Sequence, residues 1–467
     1  MIDKKYDLQH FMILLVVSFA LFMEALDTTV INTAIPNMAR SLNVNPIDLK
    51  ITLISYLLSL AIFIPISGWI GDKWGMKRIF IGAMFIFILS SLWCGFSNNL
   101  LELVIARTLQ GLGGALALPI GRLIVLRAFE RNEVISAMSR VAIVASLGTM
   151  LGPMLGGFVT HYFSWRWIFW INIPVGLINI ALAFYWIKND APQKVYPLDK
   201  IGFILFGGSL AGFTFGLSAF SESTLSRSTA LSVTFYSFLL MLCYFWHSRH
   251  KKHPIINSIL LQIRTFRVSV FGNLFCRLGF GGVPFLLPLL LQIGLHYPEQ
   301  ISGMLVAPIA LGIMVVRPLT LSILRLLGYK HLLIGNTVLL SISICSFCLV
   351  NQSTPLFMIV VLTFLFGFLI SLQYSGMNSL GYTGVGMDDL SSATSIISTL
   401  QQLAQSFGVA VSALFLQHFS TADHQAVYLS VPIFHHTFLA MGLMTFLSAF
   451  IFFRLKSSDG GDMIAVH

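Results

Sequence analysis

Fourteen stretches of about 20 apolar residues, joined by short polar segments, restrict this 467-residue chain to one kind of fold. The runs begin near Phe11, Leu49, Ile79, Leu100, Ser136, Ile168, Ile201, Thr229, Arg267, Ser302, His331, Pro355, Ala393 and His435. A run of that length crosses the hydrocarbon of a bilayer as a helix, which satisfies its own backbone N–H and C=O groups where no water can. Alternating strand patterns are absent, which argues against a barrel. Charged residues make up 10% of the chain, whereas soluble domains carry roughly 25%. No connection is long enough for a separate soluble domain. The first run is followed by Asn32 and Pro36 and lacks a small-residue cleavage site, so it reads as a retained helix rather than a leader.

The net charge of +10 could suggest a nucleic-acid partner, but the positions of the charges argue against one. An even helix count puts both termini on one side. That side then holds nineteen Lys and Arg, whereas the other holds only Arg40, Lys50, Arg166 and Arg227. This is the positive-inside asymmetry, and it makes both termini cytoplasmic. The longest polar connections, 188–200 and 247–267, bracket two helices. They divide the chain into a six-helix bundle (1–187), a two-helix linker segment (188–266) and a second six-helix bundle (267–467). A weak internal repeat at an offset of 253 matches Gly75 to Gly328 and Lys77 to Lys330, with Asp72 replaced by Arg325. Two similar bundles are the mark of a duplicated transporter.

Only two of the eighteen acidic residues lie well inside an apolar run, Glu24 and Asp27, three apart and therefore on one helix face. A charge at that depth costs on the order of 3 kcal/mol by insertion scales, so these acids point to proton handling. Counting from the outer ends of their helices, Asp27 and Arg107 both lie roughly 10 Å below the surface, close enough for the guanidinium to act on the carboxylate. The other deep cations are Arg277 and Arg317, with no acid in any second-half helix. They favour an anionic guest, although Arg317 can also snorkel to the surface. Gln373, Asn378 and Gln405, with Tyr374, Gln401 and Gln402, are candidates to line a cavity, as is Asn32. Gly148, Gly152 and Gly156 recur every four residues and bare one face of the fifth helix for close packing, with Pro153 adding a bend and Gly157 adjoining. Ala404, Gly408 and Ser412 repeat that spacing on the thirteenth. The histidine groups (His247, His250, His253; His418, His424, His435, His436 with Asp423) fall in loops or at loop edges, and Cys345-x-x-Cys348 falls in an apolar helix. None of these is assigned a metal or redox role. No nucleophile or phosphate-binding motif suggests an enzyme.

Several stretches carry a family resemblance. Gly68-x-x-x-Asp72-Lys73-x-Gly75-x-Lys77-Arg78 resembles the signature loop of the major facilitator superfamily, with Met76 where a basic residue is usual. Leu26-Asp27-x-Thr29-x-x-Asn32-x-Ala34-x-Pro36, Arg107-x-x-Gln110-Gly111 and Gly148-x-x-x-Gly152-Pro153-x-x-Gly156-Gly157 resemble the first-, fourth- and fifth-helix motifs of its fourteen-helix drug:proton antiporters, the EmrB/QacA-type group. Trp165-Arg166 through Gly176 and Leu198-Asp199-x-x-Gly202 are similar to that group as well.

The resemblance implies an all-α membrane protein of 6 + 2 + 6 helices. It would sit in a bacterial inner membrane, act as a monomer, need no cofactor, and export small organic compounds against inward proton flow. It implies that Asp27 and Arg107 couple protons, that Gly68, Asp72, Gly75, Lys77 and Arg78 form a conformational latch, and that the glycines of the fifth helix form the antiporter seam. Glu24 lies outside the family pattern. The resemblance also implies that the bundles rock between inward-open and outward-open states. Three alternatives remain open: a dedicated exporter of an anionic metabolite or chelate, citrate-like or siderophore-like, suggested by Arg277 and Arg317; an uptake symporter; and a sensor or scaffold without transport.

Overall fold

A computed structural model describes residues 2–189, 195–219, 227–252, 254–386, 389–422, 429–456 and 459–460. His253, Asp423 and His424 lie outside the described residues. All regular structure among the described residues is helical. The first half contains α1 (Ile2–Leu42), α2 (Lys50–Trp74), α3 (Met76–Phe96), α4 (Leu100–Ala128), α5 (Arg131–Tyr162), α6 (Trp167–Trp170) and α7 (Asn172–Trp186). Then come α8 (Lys200–Ala219), α9 (Arg227–Arg249), α10 (Arg264–Phe280), α11 (Val283–Leu289), α12 (Glu299–Val306), α13 (Pro308–Val316), α14 (Thr320–Ser346), α15 (Leu356–Tyr382), α16 (Leu390–Ala422) and α17 (Val431–Phe452).

Among the described residues, 13 helices or joined helix pairs are long and apolar enough to cross a membrane. The fourteenth expected span is α16, 33 residues long. Gln401, Gln402 and Gln405 dilute its apolar character. The first span runs further than the sequence suggests: α1 continues through Asn32 and Pro36 to Leu42. A proline in a spanning helix frees one backbone bond, which neighbouring helices and side chains can absorb.

The chain forms two compact units, Met1–Leu198 and Asp199–His467, and α8 and α9 belong to the second, where α8 also meets α16. Both units turn on a glycine at the same place. Gly75 (φ 90°) joins α2 to α3, and Gly328 (φ 68°) breaks α14 between its eighth and tenth residues. Both φ values belong to the left-handed side that only glycine enters freely. The offset of 253 is therefore a structural repeat as well as a sequence one.

Both units also close a first-to-fifth-helix seam with small residues. In the first, α5 lies on α1. A Cβ on Gly148 would meet the Phe22 carbonyl, one on Gly152 the Thr29 hydroxyl, and one on Gly156 the Thr33 hydroxyl and Val30 carbonyl. In the second, Gly408 of α16 faces the Arg277 carbonyl and Gly281, while Gly282 faces Ser412. In lipid, such backbone approach replaces the hydrophobic drive that water supplies elsewhere.

Candidate functional site

Asp27 is fully buried in the first unit, and every described contact of its carboxylate comes from another helix. Arg107 of α4 donates through Nη1 to Asp27 Oδ2 at 2.6 Å. Gln110, one turn on, donates to Oδ1 at 2.9 Å, and Asn172 at the start of α7 donates to the same oxygen at 3.0 Å. Ser91 of α3 binds the side chains of Gln110 (3.3 Å) and Asn172 (3.1 Å) and donates to the Phe169 carbonyl at 2.8 Å.

Arg107 is likewise sealed. Its Nη1 also reaches Gln110 Oε1 at 2.7 Å, and its guanidinium lies 4.2 Å from the centre of the Tyr56 ring on α2. A buried charge is tolerable only when it is paired and hydrogen-bonded, and here both conditions are met. Two helices, α4 and α7, thus converge on the carboxylate carried by α1, and Ser91 of α3 braces both amides.

Gln110 and Asn172 were visible in the sequence only as motif letters without a role. Gln110 could have been placed by its spacing, three residues after Arg107 and so on the same face. Asn172 lies some 145 residues from Asp27, and nothing in the sequence pairs them.

Glu24 sits one turn from Asp27, half-buried, at the edge of a cavity of about 10 Å³ lined by Met23, Met84, Phe87, Gly114 and Leu118. That volume is roughly the size of one water.

The loop acid Asp72 reaches beyond its own loop. Its partner is Arg127 at the end of α4, 2.7 Å away and about a third exposed, rather than the basic residues of its own loop. Lys77 instead donates to the Phe184 carbonyl at 2.6 Å, Lys73 lies over Trp69 and Trp74, and Arg78 is exposed. The physical reason is the turn itself: Gly75 sends α3 back antiparallel, so residues after it leave the face that carries Asp72. Gly68 has open space where a Cβ would stand, so packing does not require its glycine.

The second-half residues separate. Arg277 is 8% exposed, and its guanidinium stacks 3.8 Å from the centre of the Tyr374 ring. Arg317, grouped with it in the sequence as a deep charge, is exposed at the end of α13, where the helix breaks before α14. Gln373 is fully buried and binds Asn336 (2.8 Å) and Thr337 (2.9 Å) of α14, so it stitches helices together instead of lining a cavity. Asn378 accepts from Gln401 at 2.6 Å, and Gln405 donates to the Gly281 carbonyl at 2.8 Å. Asn32 is half-buried.

His247 binds Asp199 at 2.8 Å, and Asp199 also accepts from the Gly202 amide at the start of α8. That pair ties α8 to α9. Cys348 donates to the His435 carbonyl at 3.0 Å, a packing role.

A bundle of membrane-spanning helices, duplicated about a glycine turn and carrying one sealed carboxylate–guanidinium pair at depth, has the build of a secondary transporter. The comparisons agree. The sequence model of the Major Facilitator Superfamily matches residues 17–409 and 269–462, and the chain belongs to that family. Among its relatives is the protein named "Putative multidrug resistance protein MdtD" of Enterobacter sp. (strain 638), 34% identical over 454 residues, with 96% of this chain and 95% of that one covered. Another is "Probable transport protein HsrA" of Haemophilus influenzae, 34% identical over 452 residues and covering 96% of both. Solved structures share the fold at low identity. They include a POT family transporter in complex with 5-aminolevulinic acid (TM-score 0.70, 15% identity, 97% and 96% covered) and the xylose transporter XylE from E. coli (TM-score 0.63, 14% identity, 96% and 97% covered). The protein is a multi-pass integral membrane transporter, not an enzyme.

Proposed function

We propose that the protein is a proton-coupled exporter of small organic compounds, working from the cytoplasm across a bacterial plasma membrane. The observation that carries this reading is the Asp27 carboxylate, fully buried and bound by Arg107, Gln110 and Asn172. These three donors join α1 to α4 and α7 through the two carboxylate oxygens, and a proton on either oxygen takes the place of a donor. Taking up a proton from outside therefore loosens α1 from α4 and α7, and losing it inside restores the grip. The α1–α5 seam lies on the same helix, so a change at Asp27 bears directly on the packing of Gly148, Gly152 and Gly156. Glu24, beside its water-sized cavity, is the second proton site in this reading. Asp72 and Arg127 form the latch, together with Gly75. The relatives' multidrug-resistance name supports export of varied solutes, and the positive-inside count supports cytoplasmic termini.

Inverted vesicles offered a panel of organic cations and anions test this reading. Accumulation of at least one solute should depend on an imposed pH gradient, collapse on adding nigericin, and vanish in Asp27→Asn. Gradient-driven accumulation at the wild-type rate in Asp27→Asn would remove Asp27 from the coupling step.

A further inference from the structure

Four arginines in the described chain stand out for their partners. Arg107 holds Asp27, Arg127 holds Asp72, and Arg264 at the start of α10 holds Asp459. Arg277 holds no carboxylate. It is 8% exposed, and among the described residues no hydrogen bond or ion pair joins its side chain to any acceptor. Its one described side-chain interaction is the Tyr374 ring, 3.8 Å from the guanidinium carbon, and Phe280 meets that ring edge-on at 5.3 Å. Its Nε is wholly sealed without a partner, whereas its terminal nitrogens are not sealed. One turn on, Gln405 is anchored by its Nε2 to the Gly281 carbonyl, which leaves its buried Oε1 without a donor. Asn273, one turn back on the same face of α10, also has a side-chain oxygen without a donor.

A guanidinium stays charged and offers five donors in a flat fork suited to a carboxylate. Stacking on a ring stabilises the cation through the ring's negative face. That stacking leaves the in-plane donors unused, and burying a charge without hydrogen bonds is costly. A fold that keeps such a group in place has an acceptor for it at some stage.

The repeat sharpens the point. The 253-residue spacing that relates Gly75 to Gly328 also relates Glu24 to Arg277. The starts of α4 and α15, Leu100 and Leu356, are 256 apart, as are Leu118 and Tyr374. Glu24 shares its small cavity with Leu118, and Arg277 stacks on Tyr374. One location in the repeated bundle therefore carries an acid in the first unit and an arginine on an aromatic platform in the second.

We propose that Arg277, held flat by Tyr374, is an anion-binding element of the transporter that takes the carboxylate or sulfonate of an organic solute in a two-pronged grip. The proposal rests on the transporter reading for its purpose, but its test needs no transport. Purified full-length protein is titrated with benzoate, phthalate, benzenesulfonate and tricarballylate, and with benzamide and trimethylphenylammonium as neutral and cationic counterparts. Calorimetry and thermal unfolding report binding. At least one anion should bind saturably and raise the unfolding temperature, while benzamide and trimethylphenylammonium do not. Arg277→Gln should weaken that binding about tenfold or more. Arg277→Lys, which keeps the charge and loses the fork, should fall between. Tyr374→Phe, which keeps the ring, should leave binding within about threefold of wild type. If Arg277→Gln does not purify folded, Arg277→Lys and Tyr374→Phe carry the comparison.

The proposal is overturned if no anion in the set binds, if trimethylphenylammonium binds as well as the anions, or if the arginine variants bind like wild type. Failure here leaves proton coupling at Asp27 untouched, because that reading is judged by gradient-driven flux in Asp27→Asn.

Discussion

The two bundles share a scaffold and differ in their polar interiors. Each turns on a left-handed glycine, Gly75 or Gly328, and each closes a seam of small residues between its first and fifth helices. Inside the first, a carboxylate and a guanidinium are paired directly, with Gln110 bonded to both, Asn172 to the carboxylate and Ser91 bracing the two amides. Inside the second, the sealed network is neutral, with Gln373, Asn336 and Thr337 at its centre, and Arg277 stacks on a ring without an acceptor among the described residues. Duplication preserved what packing in lipid demands and released the side chains that do chemistry. A closed ion pair suits a proton, which enters by loosening it. An open guanidinium suits a cargo that completes it.

Breaking the closed pair should have the largest effect. Asp27→Asn leaves Arg107 buried without its counter-ion, a loss of about 3–5 kcal/mol. Thermal unfolding should show it, alongside the loss of gradient-driven flux. The double variant Asp27→Asn/Arg107→Gln should recover much of the stability and none of the flux. Recovery of both would mean the pair is only structural. The same comparison predicts a smaller cost for Gln373→Leu in the second bundle, because a neutral network gives up less than an ion pair does.

The seams come next. Gly152→Val should drive α5 off α1, since the added carbons meet the Thr29 side chain and the Val30 backbone. Gly408→Val should do the same to α16 at the Arg277 carbonyl. Overpacking of this kind costs about 1–3 kcal/mol. If only the first variant abolishes transport while both are destabilised alike, the seams differ in function despite their shared geometry.

Asn172→Ala removes one hydrogen bond to a charged group, worth about 1.5–3 kcal/mol. It should lower stability and slow turnover while substrate affinity is retained. Retained stability would show that Ser91 or Gln110 takes over its place. The smallest effect belongs to the exposed latch. Arg127→Gln should change stability by less than about 1 kcal/mol, because solvent screens the pair with Asp72, and its mark should be an altered transport rate.

Much of the first bundle was legible because membrane burial makes charge conspicuous. Asp27 and Arg107 stood out as the costliest residues in their helices, and their equal depths brought them together before any coordinates. The glycine turns were legible because a positive φ leaves little choice of residue. Asn172 was hidden: a neutral amide in a helix costs little, and its partner is far away in sequence. Arg127 was hidden because helix ends rich in basic residues are common, and only the direction of α3 after Gly75 reveals which one meets Asp72. In the second bundle, Gln373 and Arg317 show what depth alone leaves open. Helical position gives depth but not facing, and facing decides whether a polar residue stitches helices together, meets a cavity or reaches the surface.

The central claim is that Asp27 gains and loses a proton while the protein stays folded. Infrared difference spectra of the reconstituted protein across a pH series, with Asp27→Asn as the subtraction control, report it directly. The account predicts a carbonyl band of a protonated carboxyl that grows reversibly as pH falls and is missing from Asp27→Asn. A carboxylate that stays ionised across the whole range in which the protein remains folded would contradict it, and Asp27 would then be a fixed strut between helices.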